Sequence, residues 1–276
     1  MIKNKILMVS LTVNKPQLTK TDKKGTLAAE DALDAKGAGK FVKQLYPKHL
    51  IDPIVQVEQE ARAYLYANTR MWLKGVYLLP TTRYMDFAAQ MGKYELAFNQ
   101  SVTAFMNNIN KVMTAAQEAQ GAMFDASEYP DLTALRNEFA FYPRYFPFAD
   151  VGDFDLDGIE QEQLDALKAE AKLQYQQAFA ESHKAMYTRL FEAVQRIATQ
   201  TGKEKGRIYD TLTGDLEHLI DTLPELNFMG DPDLDALIED CRKIAVDPDM
   251  LRAEEGARNR VHRDAQDILA KMAGFM

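Results

Sequence analysis

The stretch whose spacing comes nearest to a working site is Asp153-x-Asp155-x-Asp157-Gly158, three alternating carboxylates and a glycine that resemble the opening of a calcium loop. Such a loop closes with a bidentate Glu at its twelfth position, and here that position is Leu164. The acids are therefore expected to serve the start of the helix that follows, where the helix dipole favours negative charge. His49, His183, His218 and His262 are scattered, and Asp215-x-x-His218 is one half of a carboxylate-bridged metal motif with no second half. The four serines (Ser10, Ser101, Ser127 and Ser182) include no G-x-S-x-G elbow, and Ser182-His183 are sequence neighbours that leave a helix in different directions. Lys36-Gly-Ala-Gly-Lys40 and Gly202-Lys-Glu-Lys-Gly206 have the flavour of phosphate loops but depart from G-x-x-x-x-G-K-[ST]. We expect no catalytic residue, no metal and no cofactor, and so a protein that is not an enzyme.

Charge is more informative than motifs. The 276 residues carry 33 Lys+Arg and 41 Asp+Glu, a net of −8. Residues 1–50 hold ten lysines against four acids, whereas 211–240 holds nine acids and no Lys or Arg. The basic side chains available for contact are Lys15, Lys20, Lys23, Lys24, Lys36, Lys40 and Lys43. The acidic ones are Asp215, Glu217, Asp221, Glu225, Asp231, Asp233, Asp235, Glu239 and Asp240. One expectation is a basic arm that docks on the acidic surface of a neighbouring copy, a head-to-tail contact that builds rings or filaments. The plainer alternative is a disordered arm beside ordinary solvated helix faces.

These residues must be positioned by mostly helical elements. Leu7, Val9, Leu11 and Val13 alternate with Met8, Ser10 and Thr12, a strand pattern, and residues 75–80 offer a second strand to pair with it. Residues 15–40 read as a loop or mobile segment with a short helical turn near 27–35. Asp52-Pro53 opens a helix that Gly75 closes off. From Arg83 to Gln120 there is no proline and only one glycine, and Phe87, Met91, Tyr94, Phe98, Val102, Phe105, Ile109 and Val112 recur at heptad-like spacing. Residues 121–157 predict a short helix at 131–141 and then an irregular aromatic connection. Leu164, Leu167, Ala171, Tyr175, Ala178, Met186, Leu190, Val194 and Ile197 stripe a second long helix, broken at Gly202. Helices at about 207–223, 232–246 and 248–273 follow, the last two opened by Asp231-Pro232 and Asp247-Pro248.

The expected fold is mainly α: a long antiparallel, coiled-coil-like helical hairpin, a small N-terminal β element and a C-terminal bundle of shorter helices. Its divisions would be a strand and arm at 1–50, a hairpin at 51–204 and a helical region at 205–276. Cys241, the one cysteine, falls in line with Leu234, Leu237, Ile238 and Ile244 and reads as a core thiol. No disulfide can form within the chain, no secretory leader is evident, and no apolar run approaches bilayer length, so a cytoplasmic protein without membrane contact is expected.

The order of strand Leu7–Val13, polar stretch to Lys40, Asp52-Pro53 helix, Gly75-Val-Tyr-Leu-Leu-Pro80 element and long helix from Arg83 resembles the DUF3150 family of phage and prophage proteins. It covers about the first 150 residues. The resemblance implies a phage accessory factor, sometimes encoded near AAA+ ATPases, and transfers no catalytic residue. The leading expectation is a non-enzymatic scaffold or adaptor that acts by self-assembly and protein–protein contact, with an AAA+ ATPase among its possible partners. One alternative is a nucleic-acid accessory factor for recombination or DNA protection, binding phosphates through the lysines above. Another is an inhibitor of a host defence protein, with the acidic 210–240 surface imitating DNA.

Overall fold

The computed structural model describes residues 4–148, 158–203 and 207–275. The chain is 67% helical, so mainly α. In order, the first half contains β1 (Ile6–Asn14), β2 (Thr19–Thr21), α1 (Lys23–Leu33), β3 (Val42–Gln44), α2 (Lys48–Asn68), β4 (Arg70–Leu73) and β5 (Val76–Pro80). Next come α3 (Tyr84–Asn107), α4 (Ile109–Gln120), α5 (Leu132–Asn137), β6 (Ala140–Pro147) and α6 (Gln161–Thr201). The chain closes with α7 (Gly214–Leu226), α8 (Pro232–Arg242), α9 (Pro248–Ala253) and α10 (Glu255–Met272).

Packing divides the chain into two compact units, each assembled from separated stretches. The first contains Met1–Val9, Leu65–Tyr84 and Tyr145–Met276; the second contains Ser10–Tyr64 and Met85–Arg144. The contiguous segments drawn from the sequence follow charge and periodicity, whereas these units follow which residues bury one another.

Four strands form a sheet in the order β4-β5-β1-β6. The expected pairing of the first strand with residues 76–80 is present and antiparallel, from Ile6 opposite Pro80 to Val9 opposite Tyr77. Strand β6 was not expected, because Pro143 and Pro147 argue against one. It lies at the sheet edge, where a residue lacking an N–H costs the ladder little.

In the first unit, Ile6, Leu78, Trp72, Phe148 and Ala178 form a small core. Trp72 packs edge-on against Phe148, Tyr175 and Phe179, with ring centroids 5.5, 5.2 and 4.5 Å away. A larger core begins at Met186 on α6 and takes Leu216 and Leu223 from α7, Leu234 and Ile238 from α8, and Val261, Ala265 and Ile268 from α10. The last three recur at spacings of four and three, the signature of one buried helix face. Along α6 the expected stripe is buried at Leu164 and from Ala178 onward, while Leu167 within it and Leu173 outside it are 41% and 55% exposed. Helices α3 and α6 belong to different units, and the helix packed most extensively on α6 is α10.

In the second unit the α3 stripe is core: Phe87, Met91, Phe98, Val102 and Phe105 are all buried. Truncating a side chain such as Phe98, 0% exposed, removes about 3–5 kcal/mol. The expected 38-residue helix is two helices. At Asn108, φ −103° and ψ 14°, the side-chain amide donates to the Ala104 carbonyl at 2.9 Å and so competes with the backbone.

Other boundaries also differ from expectation. Helix α2 starts at Lys48, so Pro53 lies inside it rather than at its first position, with Ile51 and Ile54 buried around it. The expected 207–223 helix begins only at Gly214 and runs to Leu226. The expected 248–273 helix is interrupted at Glu254, whose backbone is extended. By contrast Asp231 and Asp247 cap α8 and α9 as the Asp-Pro pairs predict, each accepting the N–H two residues on at 2.9 and 2.8 Å.

Candidate functional site

The segment expected to be a loop or mobile arm is folded. Strands β2 and β3 pair antiparallel, with Lys20 opposite Lys43, and α1 spans the excursion between them. Asp22 caps α1, its Oδ1 accepting the Gly25 N–H at 2.6 Å. Gly25 is needed because a Cβ there would lie 2.7 Å from the Phe41 ring.

Burial along β3 alternates, and Lys43 is its one inward residue. Its Nζ donates to the Met123 carbonyl at 2.7 Å, lies 3.2 Å from Asp22 Oδ2 and forms a close 2.5 Å ion pair with Glu128 Oε2. Glu128 also lies 3.5 Å from Lys20 and so separates two lysines that would otherwise repel across the ribbon. Burial alone would lower the Lys43 pKa, but Glu128 and Asp22 outweigh it and hold the ammonium above the usual lysine value. Below Lys43, Gln120 at the end of α4 donates to the Gln44 carbonyl and to the Tyr129 hydroxyl, both at 2.8 Å, which fixes the chain leaving β3.

Of the seven lysines assigned to contact, Lys43 is therefore a structural cation, not a free one. Lys15 pairs with Glu58, which also accepts from Arg62 Nε at 2.9 Å. Lys23, Lys24, Lys36 and Lys40 are exposed, and among the described residues none has an ion-pair partner. Helix α1 buries none of its residues, and Leu27 and Leu33 on it are 60% and 75% exposed. Phe41 and Val42 continue this apolar surface, and a groove of about 280 Å³ runs between Ala29, Leu33, Ala38 and Phe41. Asp31 and Asp34 sit at the far end of α1, so positive charge concentrates at its first turn and at the Lys36–Lys40 loop.

The acidic residues of 211–240 are partly neutralised within the first unit. Asp215 pairs with Arg196 at 2.5 Å, Glu225 with Arg83 at 3.7 Å, Glu239 with Arg242 at 2.9 Å, and Asp240 with Lys243 and Lys271 at 2.6 Å each. Asp235 accepts from Asn227. Asp231 holds His183 Nε2 at 2.7 Å and the Tyr187 hydroxyl at 2.5 Å. Burial works to raise its pKa, but these bonds and the cap of α8 keep it below the ordinary aspartate value. Glu217, Asp221 and Asp233 remain exposed, without ion-pair partners among the described residues.

Asp153, Asp155 and Asp157 lie outside the described residues, as do residues 204–206 of the second glycine–lysine loop. Among the described residues no group of three His, Cys, Asp or Glu side chains is arranged to hold a metal, and no helix is long and apolar enough to cross a membrane. Cys241 is 0% exposed and burial pushes its thiol up to about 12. Sequence reasoning missed Glu128 and Glu58, the acids that face three of the lysines, because each lies more than 40 residues from its partners. It also missed the apolar surface of α1, whose signal was the presence of Leu27, Leu33, Phe41 and Val42 in a stretch otherwise read as polar.

No protein-family model, curated protein or solved structure matches the chain. The resemblance to the DUF3150 family thus rests on the order of elements alone.

Proposed function

We propose that the protein is a non-enzymatic assembly factor of phage-accessory type, working by self-association through the β2-α1-β3 segment. The observation that carries this is helix α1 itself. Eleven residues are too few to hold a helix in water by backbone propensity, and α1 buries none of its side chains in its own unit. Four lysines without ion-pair partners among the described residues flank its exposed leucines. The occupant we assign is the acidic α7–α8 surface of a second copy, where Glu217, Asp221 and Asp233 have no ion-pair partner among the described residues. Opposite charge steers and orients such a contact, while Leu27, Leu33 and Phe41 supply apolar area. Coiled-coil pairing enters this proposal only through the first half of α6, where Leu167 and Leu173 are exposed, since the α3 stripe is already buried.

The test is light scattering of the full chain at tens of micromolar, in about 50 mM and about 500 mM salt. We expect discrete assemblies at low salt that dissociate at high salt, and a monomer when Lys23, Lys24, Lys36 and Lys40 are all changed to Glu. Mixing that variant with one carrying Glu217→Lys, Asp221→Lys and Asp233→Lys should restore association. A wild-type chain that stays monomeric at low salt overturns the proposal. Assembly only upon addition of single-stranded DNA would transfer these lysines to phosphate contacts and replace it with the nucleic-acid alternative.

A further inference from the structure

In the first unit, one guanidinium group is buried and a second half-buried, and among the described residues neither meets a carboxylate. Arg70, the first residue of β4, is 2% exposed. Its Nε donates to Ser182 Oγ, Nη2 to the Phe179 carbonyl at 2.9 Å and Nη1 weakly to the Leu226 carbonyl at 3.4 Å. The Phe179 and Phe228 rings stand 6.0 and 5.9 Å from its central carbon. Arg189 on α6, half-buried, donates to the carbonyls of Ala67 at 3.0 Å and Thr69 at 3.4 Å. Among the described residues, every acceptor of the two side chains is a neutral dipole. Desolvation lowers both pKa values, that of Arg70 to about 10, with no anion acting against it.

Capping accounts for part of this. Ala67 and Leu226 lie at the C-terminal ends of α2 and α7, where carbonyls without helical partners welcome a cation. Capping does not require a second arginine beside a buried one, however, and a buried charge such as that of Arg70 is ordinarily paired. Both arginines line the same pocket of about 450 Å³, whose walls include Tyr66, Met71, Tyr77 and Met186 and no acidic residue. Tyr66 and Met71 at this pocket are 47% and 53% exposed, a large apolar surface for one rim. The Tyr66 and Tyr77 rings lie 5.5 Å apart and tilted, giving an aromatic wall. The volume falls within the range of small-molecule sites and is larger than a lone inorganic ion needs.

We infer that this pocket binds a small organic anion, a carboxylate or phosphate monoester joined to an apolar or aromatic body. The acid group neutralises Arg70 and Arg189, and the body lies against Tyr66, Tyr77, Met71 and Met186. The guanidinium fork suits either acid, because both offer two oxygens in one plane. This site is independent of the lysine segment and needs no second copy.

Calorimetric titration of the full chain with phenyl phosphate, benzoate, benzyl alcohol and inorganic phosphate in low salt tests the inference. We expect one or both aromatic anions to bind at least about tenfold more tightly than benzyl alcohol and inorganic phosphate. Whichever aromatic anion binds better identifies the acid. Arg189→Gln should weaken it by about tenfold or more. Arg70 joins β4 to α6 and its removal threatens the fold, so the second variant is Ala185→Phe, which fills the pocket from a partly exposed wall position and leaves both charges in place. It should abolish binding while the circular dichroism spectrum is retained. No heat with either aromatic anion, equal affinity for benzyl alcohol, or full binding by both variants would overturn the assignment. Inorganic phosphate binding as tightly as phenyl phosphate would overturn the part played by the apolar wall.

Discussion

Lys43→Met provides the sharpest check on how the second unit is held together. The substitution keeps most of the side-chain volume and removes the charge that Asp22 and Glu128 share. The lysine side chain is 2% exposed and the two carboxylates are 9% and 13% exposed, so the acids would face each other with little water. Removing one partner of a buried ion pair costs about 3–5 kcal/mol. The acids are close enough to the surface to recover some hydration, so we expect about 2–4 kcal/mol, including the bond lost from the Met123 carbonyl. Lys43→Met and Lys40→Met are to be compared by urea denaturation followed by circular dichroism. The exposed Lys40 should change stability by no more than about 0.5 kcal/mol. Glu128→Gln in the Lys43→Met background should recover part of the loss, because it removes one stranded charge. The raised Lys43 pKa adds a pH test: its contribution is complete below the ordinary lysine value of 10.5 and is lost as pH rises through the higher folded value. If Lys43→Met costs less than about 1 kcal/mol, the three-charge cluster is not what secures the ribbon.

At the acid end, Asp231 and Glu58 matter. Burial raises each, but Tyr187 and His183 on Asp231, and Lys15 and Arg62 on Glu58, leave both folded pKa values below the ordinary values of 3.8 and 4.5. Their stabilisation is therefore present above those values and lost as pH falls through the folded ones, so Asp231→Asn and Glu58→Gln should flatten the acid limb of a stability–pH curve. An acid limb identical to wild type in both variants contradicts these pairings. Cys241 should resist a thiol reagent such as DTNB in native buffer and react fully in denaturant; rapid native labelling would refute its burial. Gly202→Ala should destabilise by about 1–3 kcal/mol, since the added Cβ would meet His262 Cε1 at 2.6 Å while His262 is tied to the Ala198 carbonyl at 2.9 Å. A neutral result in thermal melting would mean that His262 moves aside freely.

Several elements were legible because their causes are local. Asp231-Pro232 and Asp247-Pro248 start helices because the cap needs only an N–H two residues on and a ring that already sets the backbone angle. The β1–β5 pairing followed from alternation in the first strand and a second short apolar run at 75–80, and α6 from a stretch without proline or glycine. The same logic failed at Asp52-Pro53, where burial of Ile51 and Ile54 extends the helix upstream past the proline. It failed at β6 because an edge position excuses its prolines, and nothing in residues 140–147 states where in a sheet they will lie.

The candidate surfaces divide in the same way. Composition alone determined that the N-terminal fifty residues are basic and that 211–240 is acidic, since charge belongs to the residue wherever it goes. Which charges remain available was decided by tertiary structure. Lys40 and Lys43 are three positions apart, yet one is exposed and the other is enclosed by Asp22 and by Glu128, 85 residues away. The Arg70–Arg189 pocket is more distant still from anything readable along the chain, because it exists only where β4 meets α6. Cap and strand signals act between neighbouring peptide groups, whereas the energy of a charge depends on the water and countercharges around it, and folding fixes those from every part of the chain at once.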